Sequence, residues 1–115
     1  MRDLARLSVL FDFYGGLLTE RQRQAFDLHY GDDLSLGEIA EEFDLTRPGV
    51  RDLIRRAEAT LERAEKSCGM VERYLSDRAF FEEVLQLLES GDAEAARKAA
   101  KRVRSWLEEG GDDTV

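Results

Sequence analysis

At 115 residues the chain is one domain's worth of sequence, and its net charge of −8 opposes nucleic-acid binding through total charge. Ala, Glu, Lys, Leu and Arg supply 59 residues while Ile, Val and Thr supply only 12, which points to an all-α fold, expected as a single domain over 1–115. One cysteine and one histidine exclude a disulfide framework or a Cys/His metal cluster, and no apolar run reaches the length of a membrane span.

Glycines stand where helices are expected to end, at Gly15-Gly16, Gly31, Gly69, Gly91 and Gly110-Gly111. The opening segment carries Arg2, Asp3, Arg6 and Asp12 instead of a bare apolar stretch, so it reads as a helix from Arg2 to Tyr14 and not as a signal peptide. Leu4, Leu7, Val9, Leu10, Phe11, Phe13 and Tyr14 give that helix more apolar surface than one narrow stripe, which implies burial on more than one side. Thr19 is an N-cap for a second helix from Glu20 to Tyr30, closed by Gly31. Ser35 and Glu38 form a capping box for a short helix from Leu36 to about Phe43. After Asp44-Leu45, Thr46 caps a fourth helix with Pro48 in its first turn, reaching about Ser67. Val71 to Glu89 and Asp92 to Glu108 read as a helix pair, and 110–115 as a frayed acidic tail.

The most informative stretch is LGEIAEEFDLTRPGVRDLIRR, Leu36 to Arg56, which has the pattern of a helix-turn-helix. Ala40 is small where two helices cross. Ile39, Phe43, Leu45, Val50, Leu53 and Ile54 supply a miniature core, and Asp44 occupies the turn position where many such motifs place glycine. In that geometry Arg47, Pro48, Arg51, Asp52 and Arg55 face outward, with Arg56 beside them, so that Arg47, Arg51, Arg55 and Arg56 are the expected phosphate contacts of a nucleic acid, or Arg47, Arg51 and Asp52 the readers of base edges in a major groove. Arg47, Arg51 and Arg55 are four apart and form one ridge. From Arg47 to Lys66 there are six basic and four acidic residues, a local excess of positive charge, and Arg21 and Arg23 are candidates to widen it. The plain alternative is an arginine-rich face that is only solvated.

Other candidates carry less. Arg97, Lys98, Lys101, Arg102 and Arg104 make a second basic cluster, read as a solvated face balancing Glu82, Glu83, Glu89 and Glu94. His29 has no titrating partner near it in sequence and reads as a packed or surface residue rather than a base. Cys68 reads as a bystander, and Val103, Trp106 and Leu107 as core or a dimer seam. No nucleophile, phosphate loop or acid/base pair stands out, so no catalytic residue, metal or cofactor is expected. The apolar excess of the first helix and of the C-terminal pair leads to the expectation of a two-fold dimer.

The run from Leu10 to Gly69, with LLTERQ at Leu17 to Gln22, YGDDLSLGEIAEEF at Tyr30 to Phe43 and VRDLIRR at Val50 to Arg56, resembles the YlxM family of small bacterial helix-turn-helix proteins. More distantly it resembles region four of sigma factors. The family commonly has Gln-Ala where this chain has Pro48-Gly49. The resemblance implies a helix-turn-helix core over 17–67 with an N-terminal helix and a C-terminal helical extension over 71–108. It also implies a cytoplasmic, non-enzymatic, dimeric accessory or regulatory protein of the signal recognition particle pathway. Its expected partners are the particle's GTPase or RNA, with duplex DNA as the partner if the protein is instead a transcriptional regulator. A third reading is a protein-interaction module presenting Glu38, Glu41, Glu42 and Asp44.

Overall fold

The computed structural model describes residues 3–109. It contains α1 (Leu4–Tyr14), a 3-10 turn (Gly15–Leu17), α2 (Glu20–Phe26) continued by a π turn (Asp27–Gly31), α3 (Leu36–Phe43), α4 (Arg47–Cys68), α5 (Met70–Glu89) and α6 (Ala93–Glu108). Among the described residues there is no strand, so the fold is all-α as the composition requires. Met1, Arg2 and the tail 110–115 lie outside the described residues. The chain divides into two compact units, Met1–Val71 and Glu72–Val115.

In the first unit, helix starts follow local chemistry. Asp3 accepts from Arg6 N, and Thr46 accepts from Gly49 N. Thr19 with Gln22 and Ser35 with Glu38 each close a full capping box, satisfying backbone N–H groups that the first helical turn leaves without partners. The bond from Ser35 N also holds the Glu38 carboxyl below its ordinary pKa. Asp44 ends α3 at φ 56°, ψ 46°, the left-handed conformation that aspartate adopts at modest cost. Gly69 ends α4 at φ 65°.

Two apolar clusters hold this unit together. Leu7, Leu10 and Tyr14 of α1 pack with Leu18, Phe26, Ala57, Leu61 and Val71. Ala25, Ile39, Ala40, Phe43, Val50 and Ile54 form the core of the helix-turn-helix, with Ala40 buried at the crossing. The buried residues of α1 are Leu7, Leu10 and Tyr14, whereas Leu4 is 60% and Phe13 37% exposed, so within this unit the helix buries one stripe rather than several sides. Tyr14 is also polar glue. Its hydroxyl donates to Glu65 Oε1 at 2.6 Å and accepts from Met70 N at 3.1 Å, while Val71 N donates to the same carboxylate oxygen at 3.0 Å. Burial, and then the bond to Glu65, raise the Tyr14 pKa.

The second unit is a helix pair. Asp92 caps α6 after Gly91 turns the chain at φ 72°. Phe80 stacks on Trp106 with centroids 5.6 Å apart, and Glu83 pairs with Arg102, so the two helices run antiparallel.

Candidate nucleic-acid interface

The helix-turn-helix is α3, the turn Asp44–Thr46 and α4. Val50 and Ile54 turn inward onto Ile39, Ala40 and Phe43, which leaves the opposite face of α4 to solvent. Arg47, Arg51, Asp52, Arg55 and Arg56 are all exposed on the first three turns of α4. The five differ in what they touch. Arg56 Nε lies 3.0 Å from Asp52 Oδ2, so these two charges are paired with each other. Arg47, Arg51 and Arg55 enter no ion pair among the described residues.

The ridge has two neighbourhoods. The Arg47 guanidinium lies over Gly37 of α3, so close that a Cβ there would meet Nε at 2.9 Å. Arg47 also borders a shallow depression with Ser35, Glu38 and Glu41. Arg51 and Arg55 instead line a second cleft, of about 280 Å³, with His29 and Tyr30 of the π turn and with Leu36 and Ile54. The ridge therefore runs along the helix but opens onto different surroundings at each end.

Arg21 and Arg23 do not extend it. Arg21 Nη2 donates to the carbonyl of Phe43 at 2.7 Å and its guanidinium sits 4.2 Å from the centroid of the Phe43 ring. That arginine satisfies the end of α3, a structural task invisible in the sequence because the partner is a backbone carbonyl 22 positions away. Arg23 lies 3.8 Å from Glu20 on its own helix. In the second unit, Arg102 of the other basic cluster is bonded to Glu83, as the balancing of charges between these helices requires.

The π turn has no counterpart in the sequence pattern. A continuous helix from Glu20 to Tyr30 was the expectation, but the ladder widens after Phe26, with Asp32 N donating to Asp27 O at 3.1 Å. Asp33 then takes φ 59°. His29 is half-buried in this turn, and its Nδ1 lies 2.8 Å from the carbonyl of Leu34. Among the described residues no group of three His, Cys, Asp or Glu side chains is placed to hold a metal ion, and no helix is long and apolar enough to cross a membrane. Cys68 is exposed.

Comparison with known proteins bears on this surface. Residues 1–102 match the model of the UPF0122 family, described as "Putative helix-turn-helix protein, YlxM / p13 like". A UPF0122 protein of Desulforamulus reducens is 42% identical over 106 residues, covering 90% of this chain and 91% of the relative. One of Symbiobacterium thermophilum is 40% identical over 105 residues, covering 91% and 98%, and one of Shouchella clausii is 43% identical over 99 residues, covering 85% and 91%. The chain belongs to the UPF0122 (YlxM/p13-like) helix-turn-helix family.

Proposed function

We propose that this family member is a non-enzymatic accessory or regulatory protein of the signal recognition particle pathway that binds nucleic acid through α3 and α4. Arg47, Arg51 and Arg55 contact phosphates. The observation that carries this reading is their exposure on one face of α4 without ion pairs among the described residues, in a chain whose other surface arginines include Arg6, Arg56, Arg78 and Arg102 already paired with carboxylates. The pathway rests on the resemblance of Leu10 to Gly69 to the YlxM pattern. A DNA-binding transcriptional regulator would use Arg47, Arg51 and Asp52 at base edges, and the bond between Asp52 and Arg56 disfavours that use because it occupies the carboxylate. A pull-down from lysate with RNA and DNA retained tests the choice. Enrichment of the particle's GTPase with its RNA supports the pathway; enrichment of a chromosomal fragment alone replaces it with the regulator; enrichment of neither nucleic acid leaves the acidic surface of α3 as the working face.

We also infer that the second unit pairs with a second copy of itself. Among its described residues only Val84 and Ala99 are buried, while Leu75, Phe81, Leu85, Leu88 and Leu107 are each about half exposed or more. An apolar groove of about 380 Å³ runs beside Val84, Leu88, Ala99, Val103 and Leu107. α5 carries a net negative charge and α6 a net positive one, so a two-fold arrangement that sets α5 of one copy against α6 of the other is self-complementary.

A further inference from the structure

We propose that His29 joins Arg51 and Arg55 of the α4 ridge as the third side chain around one phosphodiester group, carrying a proton into the complex. The inference deepens the nucleic-acid reading above and rests on it.

Three observations converge. The π turn places two adjacent residues against the same helix, an arrangement a regular helix opposes because neighbouring side chains diverge by about 100°. Tyr30 donates its hydroxyl to Glu58 of α4, and His29 lines the cleft that Arg51 and Arg55 border. The bond of His29 to Leu34 then fixes the imidazole. A carbonyl only accepts, so Nδ1 carries a hydrogen whatever the charge of the ring, and Nε2 is the atom left to change. When neutral, Nε2 is a lone pair; when protonated, it is a charged donor. Finally, the cleft combines an apolar floor of Leu36 and Ile54 with cationic walls, a lining suited to an anion whose attached sugar is less polar.

The charged groups around the ring are Arg51 and Arg55 from α4, Glu58 on the same helix but engaged by Tyr30, and the exposed Asp27, Asp32 and Asp33 on its own segment; α3 contributes the apolar Leu36. A phosphate oxygen seated between the two guanidiniums stabilises an imidazolium beside it. Binding and protonation therefore reinforce each other, and affinity rises as pH falls through the range in which imidazoles gain charge.

The test uses the full chain with a short duplex DNA and a short hairpin RNA, at constant ionic strength, read by fluorescence anisotropy. The wild type is expected to bind about three- to tenfold more tightly near pH 6 than near pH 8. His29→Asn keeps an amide donor for the Leu34 carbonyl but has no group at Nε2, so it should melt as the wild type does and bind with no such pH dependence. A second measurement guards against misfolding of the variant: in the wild type, calorimetry in buffers of different ionisation enthalpy should register proton uptake on binding. Binding without proton uptake, or equal pH dependence in His29→Asn, overturns the role of His29 and leaves the ridge intact. Absence of any binding by the wild type overturns the nucleic-acid reading and this proposal together. A His29 ring signal that responds to inorganic phosphate and to neither oligonucleotide assigns the cleft to a free anion and overturns the proposal.

Discussion

Replacing Arg51 and Arg55 together by Ala tests whether the ridge is a polyelectrolyte contact or a solvated face. Two phosphates, one at Arg47 and one shared by Arg51 and Arg55, which enter no ion pair among the described residues, release about 0.9 counterion each from duplex DNA and give a slope of log affinity against log salt of about −1.8. The double variant retains Arg47 and should show about −0.9. Over a fourfold rise in salt the wild type thus loses about twelvefold in affinity and the variant only about three- to fourfold. Fluorescence anisotropy of a labelled duplex across a salt series measures both slopes. Helicity should persist, because both positions are exposed and Ala is the better helix former. Two further variants sharpen the reading. Asp52→Asn releases Arg56 from its 3.0 Å partner and should steepen the slope by just under one. Ala at Lys101 and Arg102, where Arg102 is held by Glu83, should leave it unchanged. A folded Arg51/Arg55 double variant with the wild-type slope would refute phosphate contact at this ridge and return it to solvated surface.

Arg21→Ala should lower stability by about 1–2 kcal/mol in urea melts, through loss of the Phe43 carbonyl bond and the ring contact, without reducing the salt slope by a phosphate's worth. Tyr14 has a folded-state pKa raised above its unfolded value, so the fold holds its proton more tightly; that contribution is complete below about pH 10 and lost as pH climbs through the raised value. Thermal melts between about pH 8 and pH 11 should therefore fall more steeply for wild type than for Tyr14→Phe, which is itself about 1–3 kcal/mol less stable because the buried Glu65 loses a donor. Light scattering at tens of micromolar should give the mass of two chains, and Leu88→Glu in the apolar groove should give one; a wild-type monomer would remove the dimer.

The parts of this fold legible in sequence are those set by interactions within about four residues. Thr19, Ser35, Thr46 and Asp92 begin helices because each side chain reaches a backbone N–H two or three positions on, and Asp44 turns left-handed within its own residue. Ile39, Ala40, Phe43, Val50 and Ile54 were readable as a core from their periodicity. Long-range partners were not. Nothing local pairs Arg21 with the carbonyl of Phe43 or Tyr14 with Glu65, 51 positions away, and a glutamate on an apparently polar stretch of α4 gives no sign of being 8% exposed. The π turn escaped for a related reason: one extra residue in a ladder changes no composition and follows no cap signal.

The candidate interface shows the same division. Spacing places Arg47, Arg51 and Arg55 on one face of α4, but it cannot say which charges are already neutralised. Arg56 reads as a cation beside the ridge and Asp52 as a base-edge candidate, and their mutual bond takes that cation out of the patch. His29 reads in sequence as a packed or surface residue, and it is half-buried with Nδ1 on the carbonyl of Leu34; what the sequence does not show is that it lines the cleft bordered by Arg51 and Arg55. With a chain charge of −8, three guanidiniums that enter no ion pair among the described residues make a short-ranged positive patch: at physiological salt, screening over about 8 Å confines the opposing field of distant carboxylates and would leave contacts at the ridge intact. In the proposed complex the acidic remainder would act chiefly on approach, slowing association with a polyanion, and the few contacts at the ridge would set how long the complex lasts. If the proposed dimer can hold its two ridges on the same polyanion, effective concentration would turn weak individual contacts into a longer-lived complex without any change in the residues that make them.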